Sequence, residues 1–407
     1  MEEINKIILA AVKRSMFGKS VMEDLAGIDL RALNWLEILR ESVNQTIPAM
    51  VIDGLDEIKE YIPKQLYMAW MQYSFNVINS NERINQGQRE LIELLNSNDI
   101  PYVILKGMSA SYNYFKPELR SLGDIDFLIK PEDKERTKKI LSDNEYIEDE
   151  EENSHHAGFK KNKNVIEMHF EITGIPYGKP GDVIRDYVSD IVETAEKITI
   201  ETNEFNVPSA KMQGIVYLLH MIRHLIKVGI GLRHLCDWAA FVDKQLNDEV
   251  WESHYKSVLE SCGLLDFTLA FTWTCVKYLG LPEKAWMKPV DDETCENIID
   301  DILKSGNFGR KDDTRAFSGK LAIDPMNYDK KTSLLRNINN TIIDTAHTRW
   351  PKSQKNPLLL VLAYIYFPLR HVFYMITGKR AKLELNKLMD DVNERGDTYR
   401  KLNIFKT

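Results

Sequence analysis

The strongest constraint on this chain is a double change of hydrophobic rhythm. Apolar residues fall at helical spacing up to about residue 95, in short alternating runs from about 100 to 172, and at helical spacing again from about 208. Spacing of three to four residues builds one buried helical face, whereas alternation builds one buried strand face. The chain therefore reads as an α+β protein in three regions: a helical region over 1–95, a small α/β domain over 96–207, and a second helical region over 208–407. In the first, Leu30, Leu33, Leu36 and Leu39 recur on one face of an expected helix. In the second, β-rich runs at 102–105, 125–129, 157–160 and 165–172 alternate with helical segments near 108–115 and 132–143. Residues 161–164 read as a hairpin turn. These elements predict a small mixed sheet covered by helices on one face, with the other face left for a cleft. In the third region the pattern predicts helices over 212–227, 232–245, 251–263 and 267–279, broken later by a polar stretch at 306–318.

The chemistry concentrates around Gly123-Asp124-Ile125-Asp126. In a strand, Asp124 and Asp126 share one face while Ile125, Phe127 and Ile129 share the other. Two carboxylates side by side repel, and each raises the other's pKa. A divalent cation removes that penalty, and Mg²⁺ prefers such hard oxygen ligands. The strand at 165–172 offers a third ligand, since Glu167, His169 and Glu171 face away from Ile166, Met168, Phe170 and Ile172. Glu167 is the first choice and Glu171 the second. Upstream, Leu105-Lys106-Gly107 sits at a strand-to-helix junction, where backbone N–H groups can cradle phosphate.

Other features narrow the function class. A net charge of −8 over 407 residues displays no clear nucleic-acid surface. The four cysteines, Cys236, Cys262, Cys275 and Cys295, form neither a CxxC pair nor a zinc cluster, which suits burial in a reducing, cytoplasmic setting. The amino terminus has acidic residues before a short apolar run and basic ones after it, inverting the order of a secretory signal, and reads as an amphipathic helix. The apolar run at 357–367 is too short to span a bilayer and is expected as a buried helix.

His220 and His224 are four apart on an expected helix, so they share a face, yet their segment lacks the glutamate of HExxH. His220, with Arg223, Arg233 and His234, either lines the helical side of the cleft or serves as a buried partner of Asp237. His155 and His156 are expected at a solvated sheet edge. Lys160, Lys161 and Lys163 fall at the hairpin tip, and the acidic cluster at 145–152 in a solvated loop. Trp238, Trp251, Trp273 and Trp350 fall on helical patterns and are expected in the core.

The sequence Arg120-Ser-Leu-Gly-Asp-Ile-Asp126, with Leu105-Lys-Gly107 before it and Ile166-Glu-Met-His169 after it, resembles the uncharacterised nucleotidyltransferase family of the DNA polymerase β superfamily. The resemblance covers most of the chain, more loosely around 232–237 and 350–373. It implies a polymerase β-like palm with Asp124, Asp126 and Glu167 as catalytic residues holding Mg²⁺ or Mn²⁺. It also implies an NTP donor, with ATP expected, contacted by Lys106, Gly107, Ser109, Arg120, Gly123 and His169. Met108 stands where the wider superfamily has a second Gly or a Ser, a departure for which Lys106 or Arg120 can compensate. The implied reaction is attack of an acceptor oxygen on the α-phosphorus with loss of pyrophosphate, two metals stabilising the attacking and leaving oxygens. A small-molecule acceptor is the leading expectation. A protein- or RNA-modifying enzyme of toxin or defence type, and a non-catalytic nucleotide-binding protein, are the alternatives.

Overall fold

The computed structural model describes residues 1–149, 155–200, 202–311, 334–354, 356–377, 395, 399 and 401–406. Five strands, β1 (Tyr102–Ile104), β2 (Ile125–Ile129), β3 (Ile147–Glu148), β4 (His156–Lys161) and β5 (Asn164–His169), form one sheet in the order β1-β2-β5-β4-β3. β2 and β5 run parallel while the other neighbours run antiparallel, so the sheet is mixed, as expected. β4 and β5 are joined by Asn162 and Lys163 with φ of 50° and 67°. This is a two-residue turn whose positive φ angles match the twist of the flanking strands. A second hairpin, β6 (Glu196–Ile200) and β7 (Asn203–Val207), was not anticipated. Its strands are short, each with just two apolar residues, Ile198 and Ile200 in β6 and Phe205 and Val207 in β7, to carry the alternation.

The helices used below are α1 (Glu3–Phe17), α2 (Trp35–Asn44), α3 (Lys64–Ser97), α4 (Met108–Ser111), α5 (Lys134–Asp143), α6 (Lys179–Tyr187), α7 (Ala210–Lys227), α8 (Leu232–Lys244), α9 (Leu265–Thr274), α10 (Asp292–Ser305), α11 (Leu334–Arg349) and α12 (Pro357–Ile376). On one sheet face, Ile104, Ile125, Phe127, Ile129, Ile166 and Met168 pack with Ile84, Leu91 and Leu95 of α3 and Leu141 of α5. The opposite face, carrying Val103, Leu105 and Leu128, joins a larger core shared with α1, α7, α8 and α9. Helices pack over part of that face, and its polar groups line a cleft between the two layers.

Several local expectations need correction. The 28–39 pattern does not make one helix: α2 starts at Trp35 because the Asn34 side chain accepts a hydrogen bond from Glu37 N, a stable N-cap, and Leu36 is 43% exposed. The 108–115 helix shrinks to the single turn of α4, since Tyr114 and Lys116 leave the helical path to reach Asp237 and Asp53. The apolar run at 357–367 is helical but not buried. Leu358, Val361, Leu362, Ile365 and Leu369 of α12 are 54–73% exposed, since among the described residues it is the opposite side of the helix that meets α11 and Trp350. No helix among the described residues is long and apolar enough to cross a membrane.

All four cysteines are buried and unbridged. Trp238 and Trp251 lie in the core, and Trp251 stacks on Trp286 with centroids 3.9 Å apart. Residues 150–152 of the acidic cluster and 312–318 of the polar stretch lie outside the described residues.

Candidate active site

The site begins with a strand register. β2 and β5 pair so that Asp126 lies opposite Glu167, with His169 two residues beyond Glu167 on the same face. His169 Nε2 lies 3.0 Å from Asp126 Oδ1 and 3.4 Å from Glu167 Oε2. Ligand atoms of Asp126, Glu167 and His169 all fall within 4.8 Å of one another, a spacing that could hold a metal ion. Asp124 sits one residue before β2 rather than inside it, and it faces the same cavity. Glu171 lies past the end of β5, exposed and paired with His155 at 2.9 Å. Of the two candidate third carboxylates, Glu167 is therefore the one beside Asp126.

Lys106 reaches this cluster from the turn after β1, its Nζ 2.8 Å from Asp126 Oδ1 and 3.5 Å from His220 Nδ1. Gly107, next in the chain, has φ 65° and ψ −112°, a conformation that strongly favours glycine. A Cβ there would also meet the Asp124 carbonyl oxygen at 3.5 Å.

The electrostatics follow from crowding. Burial opposes the Asp126 charge, but the Lys106 ammonium and the His169 hydrogen bond outweigh it and hold this carboxyl well below its ordinary range. The charge of Asp126, and then burial, push Asp124 up. Burial opposes the charged form of His169, yet its bonds to Asp126 and Glu167 raise it above its usual value. The His169 bond lowers Glu167.

Across the cavity, α7 and α8 present His220, Arg223, His224, Arg233 and His234. The ring centroids of the three histidines lie 4.4, 5.4 and 6.0 Å apart, and Phe308 packs on His224 at 4.8 Å and on His234 at 5.5 Å. Burial holds all three imidazoles neutral, His224 down to about 2. Both ring nitrogens of His234 are buried without a side-chain hydrogen-bond partner among the described residues. Arg223 lines the cavity with no side-chain bond to any described residue. The cavity between the walls is about 440 Å³.

Of the residues expected to contact nucleotide, Lys106, Gly107, Arg120 and Gly123 line this cavity. Ser109 does not: it is fully buried, and its hydroxyl accepts a 2.5 Å hydrogen bond from Gln213. His169 lies beneath the cavity floor, in contact with its carboxylates. The Arg120 guanidinium is engaged by both oxygens of Asp237 at 2.7 and 2.8 Å, and Tyr114 donates to the same carboxylate at 2.6 Å. The partners of Asp237 are thus Arg120 and Tyr114 rather than Arg233 or the histidines. His156, expected at a solvated edge, is half-buried, packs on His169 at 5.1 Å, and lines the cavity. Phe308 and Arg310 were not singled out from the sequence. The spacing 220, 223, 224 signalled the helical wall, but nothing local marks the 308–310 turn.

An acidic, metal-competent wall facing a wall of arginines and neutral histidines can hold a divalent cation and a polyanion together. That layout defines a class, enzymes that act on phosphorylated substrates. Residues 31–280 match the family described as uncharacterised nucleotidyltransferase, and the chain belongs to that family. It is a nucleotidyltransferase by membership, and the site just described lies within the matched residues apart from the 308–310 turn. No curated protein matches the chain.

Proposed function

We propose that this enzyme transfers the NMP unit of an NTP, with ATP the expected donor, to a hydroxyl of a small-molecule acceptor. Asp124, Asp126 and Glu167 would hold Mg²⁺ or Mn²⁺. The observation that carries this reading is the clustering of Asp126, Glu167 and His169 opposite Arg223 and Arg233 across one cavity.

The residues fit a divalent cation on their own chemistry. Asp124 is destabilised as an anion by Asp126, and in this structure the Lys106 ammonium supplies the only cation within 3 Å of Asp126 among the described residues other than His169. When bound, Mg²⁺ supplies the positive charge that neutralises the triphosphate and polarises its α-phosphoryl group. Lys106, beside Asp126, would be placed to contact the phosphates. Arg223 and Arg233 offer guanidinium donors, a geometry suited to phosphate oxygens. His169 holds Asp126 and Glu167 in register. Arg120, locked by Asp237, positions the loop before β2, and Ser109 anchors the Gly107 turn through Gln213. The polymerase β-like palm, the division at about residues 95 and 207, and a cytoplasmic location belong to the same reading.

The test is transfer from each [α-³²P]NTP, with pyrophosphate release followed in parallel, against pooled hydroxyl acceptors with Mg²⁺. Asp124→Asn is expected to lower turnover by about 10²-fold or more, the scale lost when a transition-state charge contact is removed. Equal turnover by the wild type and this variant would overturn the assignment.

A further inference from the structure

The carboxylate cavity has a larger neighbour, and the two meet at Arg223, which lines both. The neighbour is about 690 Å³, a size that suits a compact organic molecule. It continues along the same two elements. β5 and the residues after it lead from Glu167 in the first cavity to Glu171 in the second, and α7 leads from His220 and His224 to Ile226 and Lys227. Its floor is apolar, built by Leu128, Ile172, Val188, Val192, Ile222 and Ile226, all buried. Several of its charged groups are engaged in ion pairs: Lys130 with Glu193 at 2.6 Å and Glu171 with His155 at 2.9 Å within the lining, and Arg185 with Asp182 beside it at 2.8 Å. A triphosphate would find Lys130 and Arg185 already paired there, whereas an apolar body would find a matching surface.

We propose that this second cavity is the acceptor site and takes a small amphipathic alcohol, its apolar body on the Leu128–Ile222 floor and its hydroxyl directed past Arg223 toward Glu167. The assignment rests on the nucleotidyltransferase reading and adds the acceptor's chemical class to it. In the transfer, the acceptor oxygen forms a bond to the α-phosphorus and the bond from that phosphorus to the bridging oxygen breaks. Pyrophosphate carries the electron pair away, and the hydroxyl proton passes to water. Arg223, touching both chambers, couples donor and acceptor occupancy.

The experiment uses the full chain, n-octanol as the probe and a non-hydrolysable ATP analogue with Mg²⁺, each titrated by calorimetry. Ser189→Trp and Thr173→Trp fill the cavity from its rim, where Ser189 is exposed and Thr173 half-buried, so folding is spared. Octanol is expected to bind the wild type and to lose about tenfold or more in both variants, the equivalent of excluding roughly two methylenes from burial. Nucleotide affinity should stay unchanged in them. Mg²⁺·nucleotide should also shift octanol affinity in the wild type and fail to do so in Arg223→Gln. Octanol that does not bind, or binds the filled variants as well as the wild type, overturns the cavity assignment. Octanol binding that is lost in the variants yet indifferent to bound nucleotide overturns the acceptor role. A wild type that takes octanol but never the nucleotide sinks the nucleotidyltransferase reading itself, a failure distinct from the other two.

Discussion

At the scale of single residues, the two aspartates of the Asp-Ile-Asp triplet are not equivalent. Asp124 is held in an unfavourable field by Asp126, while Asp126 is the buried partner of both Lys106 and His169. Asp124→Asn should therefore leave the melting temperature of the metal-free protein unchanged or raised. Asp126→Asn should lower stability by about 3 kcal/mol, because it strands two buried positive groups. Urea unfolding of both variants measures this, and equal destabilisation would contradict the assignment. Gly107→Ala is expected to lose about 1–3 kcal/mol through its positive φ. The triplet and the Glu167 face were legible in the sequence because strand alternation fixes which carboxylates share a side. The Lys106–Asp126 pair and the withdrawal of Ser109 to Gln213 were not, since each depends on a partner brought close only by the fold.

Among the elements, α7 and α8 carry the most consequential chemistry that spacing alone left open. Their histidines are held neutral by burial, so their folded pKa values lie below the unfolded value. The stability they contribute is full above the ordinary histidine range, about 6.5. It is lost as pH falls below that, because the unfolded chain takes up protons that the folded chain refuses, with a slope up to about 1.4 kcal/mol per pH unit for each histidine. Unfolding free energies between pH 7.5 and 5.5 should fall, and His224→Gln should flatten the slope; an identical slope would contradict the burial account. The β4–β5 turn gives a second element-scale prediction. Lys163 has φ 67°, so Lys163→Gly should stabilise the protein by about 0.5–1 kcal/mol in thermal unfolding. That hairpin was legible from its polar turn between alternating runs. The β6–β7 hairpin went unread because each strand offers just two apolar residues, Ile198 and Ile200 then Phe205 and Val207, to carry its alternation.

In the whole molecule, the sheet layer and the helical layer are joined by a buried ion pair, Arg120 before β2 with Asp237 on α8, tied further by Tyr114. Arg120→Met alone should lower stability by about 3–5 kcal/mol by leaving Asp237 uncompensated, and Arg120→Met/Asp237→Leu should recover much of it. The three regions seen in the sequence share a core that runs through α1, the inner sheet face and the carboxy-terminal helices. Hydrophobic rhythm reports which face each element buries but not which distant element covers it. For that reason the cleft could be expected from the sequence, but not the second, helical wall that α7 and α8 give it.

The central claim, that this cavity is a metal-dependent nucleotide site, is tested most directly by calorimetry of a non-hydrolysable ATP analogue against the wild type and Asp124→Asn, each with and without Mg²⁺. The account predicts binding by the wild type that requires Mg²⁺ and disappears in a variant whose melting temperature is not lowered. No binding by the folded wild type, or equal affinity in the variant, would contradict it.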